Sequence, residues 1–191
     1  MDLRTEKVML HNATLYLLIV LCMVQTTDKA LAQTSDIEEF FLLIDERLSH
    51  MEQVALYKAE NKIAVEDIVR EQFVIESAVK SAAELGLFGP SVESFFETQI
   101  SVAKAIQYRH LADWLSKPPQ AAAPDLEVIR PKLSDLGESI VRKLATLVEN
   151  NNPVLEQHSK LFHDTISTKN VNKRDKARSV SYTHLTLPTK A

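Results

Sequence analysis

The sequence predicts an all-α protein, a helical bundle of about five to six helices with one long N-terminal helix. Glycine accounts for only 3 of the 191 residues, and the alternating runs of β-branched residues that are typical of strands are scarce. Apolar residues recur instead at helical spacing along most of the chain. A chain of this length can bury the core of one domain.

Residues 1–32 have the three parts of a secretory signal peptide. A cationic start precedes an apolar run over residues 15–24, and an Ala-Leu-Ala cleavage site ends at Ala32. The apolar run is too short to span a bilayer comfortably, and an uncleaved membrane anchor is the alternative. Cleavage would give a secreted or periplasmic protein without a membrane segment, and it would also remove Cys22, the only cysteine.

Four helices are predicted in the domain that follows, which is assigned to residues 33–178. Gly86 ends the second helix and the proline-rich linker 117–124 ends the third. The helices are expected at about 35–59, 65–85 and 91–116, and the fourth carries an apolar stripe from Ile129 to Leu147. The stripe of the first helix, from Ile37 to Ala55, and residues such as Ile68 in the second are expected to be buried.

The C-terminal part of the sequence is less regular. Residues 154–166 form a weaker helical segment, and residues 179–191 are rich in threonine and lack a helical period. Such a stretch has little apolar surface to offset the entropy lost on ordering. We therefore expect the chain from about Arg178 onward to lie outside the fold, leaving an apolar strip uncovered on the fourth helix or on residues 154–166.

Three cations are placed to meet between the helices. Arg47 and Lys58 are eleven residues apart, about three helical turns, so both point to one side of the first helix. Arg70 follows in the second helix. Together they would bind a small polyanion, whereas three solvated charges on separate helices are the alternative. The net charge of −4 argues against nucleic acid as a partner.

Other polar positions leave a structural and a functional interpretation open. Gln107 falls on the apolar side of the third helix, where it is either a satisfied core amide or a ligand contact. Arg130 lies in the first turn of the fourth helix, where a cation opposes the helix dipole unless an anion is near. Asp67 suits the first turn of the second helix for structural reasons alone. Lys104 and Arg109 are expected on a solvated face.

Several separated motifs, taken in order, resemble the all-helical chorismate mutases, above all their secreted, single-chain class. The resemblance covers about residues 36–144 and keeps the spacing between successive motifs. It implies the type II chorismate mutase fold. The motifs are Val54 to Lys58, Val65 to Asp67, Arg70 to Gln72, Gln99-Ile100, Ala103 to Arg109, and Trp114.

The resemblance implies an isomerase that converts chorismate, a small dicarboxylate, to prephenate. This concerted rearrangement needs no nucleophile, metal or cofactor. The protein has to hold the reactive conformer and stabilise the charge that builds on the ether oxygen. By the resemblance, Arg47, Arg70 and Arg130 bind carboxylates, Lys58 contacts a carboxylate and the ether oxygen, and Gln107 donates to the ether oxygen.

The same resemblance gives roles to the remaining candidate residues. Glu71 would accept a hydrogen bond from the substrate hydroxyl, and Asp67 would touch the site through its backbone or orient its neighbours. Ala103 stands where the family often has Ser or Thr, so it lines the substrate site without a polar role. This departure keeps a second hypothesis open, namely a helical binding module of the same fold that does not convert a substrate. A homodimer is compatible with either.

Overall fold

The computed structural model describes residues 35–185 of the chain, with side chains described as far as Thr183. The predicted signal peptide and the last six residues lie outside the described residues. Every regular element within the described range is a helix, which confirms the all-α prediction. The elements are α1 (35–49), α2 (Met51–Glu60), α3 (Ile68–Glu84), α4 (Gly89–Ser116), α5 (Leu126–Glu149), a 3-10 helix (Glu156–His158), α6 (Ser159–Thr165) and α7 (Lys173–Leu185).

The predicted long first helix forms as α1 and α2, which are separated by a turn at His50. The backbone N–H of Val54 still donates to the carbonyl of His50 (3.1 Å), so helical hydrogen bonding resumes at once. The apolar stripe is buried as predicted, and each member exposes 3% of its surface or less. Its members are Ile37, Phe40, Phe41, Ile44, Leu48, Met51 and Ala55.

Aromatic side chains join α1, α4 and α6 in the core. Phe41 meets Phe162 edge to face, with ring centroids 4.9 Å apart, and Phe95 meets Phe96 in the same way at 5.3 Å. Phe40 lies between these pairs, 5.9 Å from Phe95. Such pairs add about 0.5–1.5 kcal/mol each beyond the burial of their area. This cluster fixes α1 and α4, both of which line the cavity described below.

Helix α3 ends close to the predicted position but begins at Ile68, three residues later than predicted, and it does not bury Ile68, which is 78% exposed. Asp67 caps the helix by accepting a hydrogen bond from the backbone N–H of Arg70 (3.1 Å). Two residues advance a helix by about 200°, so Ile68 points away from the side that carries Arg70. Gly86, with φ of 71°, ends the helix in the left-handed conformation that was expected of a glycine there.

Helix α5 contains Pro131 as its sixth residue rather than in its first turn. Asp125 caps the helix and accepts from the backbone N–H of Glu127 (3.0 Å). Pro131 removes the hydrogen bond that would reach the carbonyl of Glu127, and both residues are exposed to water. The helix therefore begins three residues before Ile129, the first member of its predicted apolar stripe.

The expectation that the chain beyond Arg178 lies outside the fold is wrong for the described part of that stretch. Residues 173–185 form α7, in which Ser179, Val180 and Thr183 expose 4% or less. These residues repeat at helical spacing, but two of the three are polar, so an apolar pattern does not reveal them. Thr183 satisfies its hydroxyl by donating to the carbonyl of Val180 (2.7 Å).

Helix α7 is anchored to α4 by an ion pair. Arg109 donates to both carboxylate oxygens of Asp175, at 2.5 and 3.1 Å, so it does not lie on a solvated face as predicted. The apolar strip that was predicted to lie uncovered on the fourth helix or on residues 154–166 is mostly covered. Val154, Phe162 and Ile166 are each 1% exposed, and on α5 Ile129, Ile140, Leu144 and Leu147 expose 2% or less, whereas Leu155 is 46% exposed.

Candidate active site

A cavity of about 250 Å³ lies among α1 to α5. All eight candidate site residues line it, so the structure brings together every position that the sequence selected. They come from α1, α2, the first turn of α3, the middle of α4 and the start of α5. The eight are Arg47, Lys58, Asp67, Arg70, Glu71, Ala103, Gln107 and Arg130.

Arg47 is the buried cation of the cavity, with 6% of its surface exposed. Its Nε and Nη1 atoms have no hydrogen-bond partner among the described residues. The guanidinium carbon lies 6.0 Å from the ring centroid of Phe96. Burial, assisted by the charge of Arg70, lowers the pKa of Arg47 to about 10, so it is still a cation at neutral pH. A buried cation with unmet donors is costly until an anion reaches it.

Lys58 is a second buried cation, and its ammonium group donates to the carbonyl of Val65 (2.5 Å). This contact uses one of its three donors. Burial lowers the pKa of Lys58, while the carboxylates of Asp67 and Glu71 oppose that effect. The ammonium is thus held at a fixed point of the cavity wall by a neutral partner, with its charge available to a ligand.

Arg70 projects from the first turn of α3, where its backbone is held by the Asp67 cap. Its Nη2 donates to the hydroxyl of Ser134 on α5 (3.2 Å), and its guanidinium carbon lies 4.9 Å from the ring centroid of Phe73. Burial and the nearby charge of Arg130 both lower the pKa of Arg70. Neutral partners hold its side chain, so its charge is not cancelled by a direct ion pair among the described residues.

Arg130 is the fifth residue of α5, just past the first turn in which the sequence placed it, and its side chain is 38% exposed. The sequence predicted that a nearby anion would offset the unfavourable helix dipole, and two carboxylates lie there. Asp67 is 3.6 Å from Nη2, and Glu127 is 3.4 Å from Nη1. These are long, partly solvated contacts of about 0–1 kcal/mol, so they leave Arg130 able to bind a further anion.

The structure places Gln107 in the cavity wall with its hydrogen-bonding capacity only partly used. Its Nε2 donates to the carbonyl of Ala103 (3.3 Å) and lies 3.6 Å from the sulfur of Met51, and its Oε1 has no partner. Sulfur is a weak acceptor, so a better acceptor can take its place at little cost. Ala103 itself is buried and contributes no polar side chain.

Glu71 is tied at both carboxylate oxygens. Oε1 accepts from the backbone N–H of Asp67 (3.2 Å), and Oε2 accepts from the ammonium of Lys104 on α4 (2.8 Å). Lys104 lines the cavity, so its predicted place on a solvated face is wrong. Lys104 is three residues before Gln107, a spacing that puts the two on neighbouring positions of one helix face, and this was the signal that could have found it.

The cavity is positive in a protein that is negative overall. Five cations and three carboxylates line it, against a net charge of −4 for the chain. Cations concentrated in a low-dielectric pocket attract small anions more strongly than the same charges on an open surface. The arrangement suits a compact ligand with two negative groups. The charged lining residues are Arg47, Lys58, Arg70, Lys104, Arg130, Asp67, Glu71 and Glu138.

Comparisons with known proteins define the class. The family model "Chorismate mutase type II" matches residues 38–108. A secreted chorismate mutase of Yersinia pestis is 40% identical over 134 residues, which are 70% of this chain and 72% of the relative. A monofunctional chorismate mutase of Enterobacter agglomerans is 36% identical over 103 residues, 53% of this chain and 57% of the relative.

Solved structures agree with these matches. The crystal structure of the Yersinia pestis protein gives a TM-score of 0.70 at 36% identity, and covers 76% of this chain and 94% of that one. A Burkholderia thailandensis structure at 23% identity, with a TM-score of 0.65 over 80% of this chain and 99% of its own, supports the fold. The chain belongs to the all-helical, type II chorismate mutase family, and it is an isomerase of that family's secreted or periplasmic class.

None of the described helices is long and apolar enough to cross a membrane.

Proposed function

We propose that this chorismate mutase converts chorismate to prephenate in the cavity among α1 to α5. The observation that carries the proposal is the buried Arg47, whose Nε and Nη1 donors are unmet in a cavity that four further cations line. Chorismate has two carboxylates, and binding them would satisfy those donors and offset the cost of burying the charge. The bound dianion would be held in the compact conformer from which it rearranges.

Three arginines provide the carboxylate contacts in this proposal. Arg70 is close enough to the other two for like charge to matter, since its charge lowers the pKa of Arg47 and the charge of Arg130 lowers the pKa of Arg70. All three line the cavity, Arg47 as a buried residue and Arg130 as a partly exposed one. Each guanidinium matches a carboxylate in two-point geometry. Arg47 would take the carboxylate that enters deepest, and Arg130, which is partly exposed, would close over the outer one.

Lys58 and Gln107 are proposed to act on the ether oxygen. As the C–O bond breaks, negative charge builds on that oxygen, and a fixed ammonium and an amide N–H stabilise it without reorganisation. Lys58 is held by the carbonyl of Val65, and Gln107 by the carbonyl of Ala103, so both donors are in place before the substrate arrives. The removal of one such donor costs about 10²–10³-fold in rate.

The acidic residues have orienting roles. Glu71 would accept from the substrate hydroxyl with the lone pairs that Asp67 and Lys104 leave unused. Asp67 caps α3 and thereby fixes Arg70, so it would act through its neighbours. Ala103 would contact the substrate through its methyl group alone. We propose that no metal or cofactor takes part, and EDTA is therefore expected to leave the rate unchanged.

The proposal is tested with purified protein that begins at Gln33. Loss of chorismate absorbance should follow the protein concentration, and acid treatment of the product should give phenylpyruvate, which identifies prephenate. Saturable binding of chorismate without its loss would instead support the binding-module hypothesis. The names of the relatives do not favour that hypothesis, since they are called mutases.

Two further proposals concern processing and assembly. Residues 1–32 are proposed to be a signal peptide that is cleaved after Ala32, and N-terminal sequencing of exported protein that still begins at Met1 would contradict this. The mature domain is then proposed to begin at Gln33 and to include α7. A homodimer is also proposed, and a single sedimenting species with the mass of one chain at assay concentration would exclude it.

A further inference from the structure

Lys104 reaches from α4 across to the first turn of α3. Its ammonium lies 2.8 Å from Oε2 of Glu71, and the two side chains are 29% and 23% exposed. The other oxygen of the Glu71 carboxylate accepts from the backbone N–H of Asp67. With one oxygen held from its own helix and the other from α4, the carboxylate plane has a defined orientation at the cavity wall.

Cations from four helices line the same cavity as Glu71. Arg47 on α1, Lys58 on α2, Arg70 on α3 and Arg130 on α5 line the same cavity. An untethered carboxylate among these groups would pair with one of them, because the attraction between opposite charges is strong in a partly buried site. Such a pair would cancel a cation that the proposed function assigns to the substrate.

We infer that Lys104 is a positioning residue for the reaction, which holds the Glu71 carboxylate toward the substrate hydroxyl and away from the substrate-binding cations. The inference rests on the proposed function. Lys104 need not touch the substrate in order to act in this way. Its effect on turnover passes through Glu71, so it should vanish when Glu71 can no longer form the ion pair.

A second contact between α4 and the chain near the start of α3 provides a matched control, because it joins the two elements without involving a residue of the cavity. Tyr108, one turn further along α4, donates to both carboxylate oxygens of Glu66 at 2.7 and 2.6 Å, and so it ties α4 to the chain just before α3. Neither Tyr108 nor Glu66 lines the cavity. Tyr108→Phe therefore removes a cross-link between almost the same two places without changing a cavity group.

The experiment compares chorismate turnover by the wild type, Lys104→Met, Lys104→Arg, Tyr108→Phe, Glu71→Gln and the double variant Glu71→Gln with Lys104→Met. Lys104→Met should lower kcat about tenfold and change KM less than about threefold, since the oriented carboxylate matters most in the transition state. Lys104→Arg should restore most of kcat, and Tyr108→Phe should stay within about threefold of wild type. In the Glu71→Gln background, Lys104→Met should have less than about a threefold effect.

The outcomes separate the inference from the proposed function. A wild-type protein without turnover overturns the proposed function. Turnover by the wild type together with an unchanged kcat in Lys104→Met overturns the inference alone. Equal losses in Lys104→Met and Tyr108→Phe, or additive losses in the double variant, also overturn it, because they indicate a structural tie. If Lys104→Met does not fold, Lys104→Gln replaces it with the same expectations.

Discussion

Replacement of Arg47 by methionine should stabilise the protein and abolish most of its activity. Methionine retains an unbranched apolar stem but has neither the charge nor the donors of arginine. The arginine is almost fully buried, and burial together with the charge of Arg70 lowers its pKa to about 10, well below that of a free arginine. Because the folded pKa lies below the unfolded one, the cation lowers stability at every pH below about 10, including neutral pH.

The size of this effect follows from the pKa and the unmet donors. At about 1.4 kcal/mol per pKa unit, the charge of Arg47 opposes folding by about 3 kcal/mol. The loss of side-chain packing offsets part of this gain. We therefore expect Arg47→Met to raise the free energy of unfolding by about 1–3 kcal/mol, which corresponds to a rise in Tm of roughly 3–9 °C.

The cost to activity is larger, because a carboxylate would then enter the cavity without its buried partner. Each hydrogen bond to a charged group contributes about 1.5–3 kcal/mol. The two unmet donors, Nε and Nη1, therefore contribute about 3 kcal/mol or more together, and kcat/KM should fall by at least about 10²-fold. Thermal unfolding by circular dichroism and the chorismate assay measure the two effects on one sample. Arg174→Met, at an exposed position of α7, is the control and should change neither quantity appreciably.

Two results for Arg47→Met would contradict this prediction in different ways. A lower Tm for Arg47→Met would mean that the guanidinium is satisfied in the folded protein and that its unmet donors were misjudged. A higher Tm with unchanged kcat/KM would mean that the buried charge of Arg47 destabilises the fold but is not needed for turnover.

Three other predictions follow from the same contacts. Lys58→Ala and Arg70→Ala should each lower kcat/KM by about 10²–10³-fold while the protein stays folded, and unchanged kinetics in either would count against the mechanism. Lys58 stabilises the ether oxygen only as a cation, and burial lowers the pKa of Lys58. As the pH rises, kcat/KM should therefore begin to fall at a lower pH than the pKa of a free lysine would give. A pH profile that stays flat up to the normal lysine range would contradict this. Asp175→Ala should destabilise the fold by about 1–3 kcal/mol through the loss of the partly buried pair with Arg109, and an unchanged Tm would show that α7 contributes little.

The first part of the fold could be predicted because its signals are local. The stripe from Ile37 to Ala55 has apolar side chains at a clean helical period, and all seven members of it are buried. Helix α7 could not be predicted in this way, because Ser179 and Thr183 bury polar groups whose partners are visible only in three dimensions. The ion pair that anchors α7 joins residues 66 positions apart, which no local pattern contains.

The residues of the candidate site also differ in whether a local sequence pattern predicts their position. Arg47 and Lys58 share a helix, so their spacing alone predicts a common side. Arg130 showed a local conflict with the helix dipole, but only the fold reveals that Asp67, far earlier in the chain, lies beside it. The sequence alone predicts a solvated position for Lys104, because a charged residue usually lies on the surface. The expectation of a solvated position fails here because the side chain of Lys104 faces a polar cavity between the helices and not bulk water.

The most direct test of the central claim is a proton NMR time course of chorismate with the protein from Gln33 and, in parallel, with its Arg70→Ala variant. The wild type should convert chorismate to prephenate one for one, with no metal or cofactor added, and the folded variant should be slower by about 10²-fold or more. No conversion by the wild type would contradict the proposed function, and equal rates in the two proteins would contradict the role of Arg70.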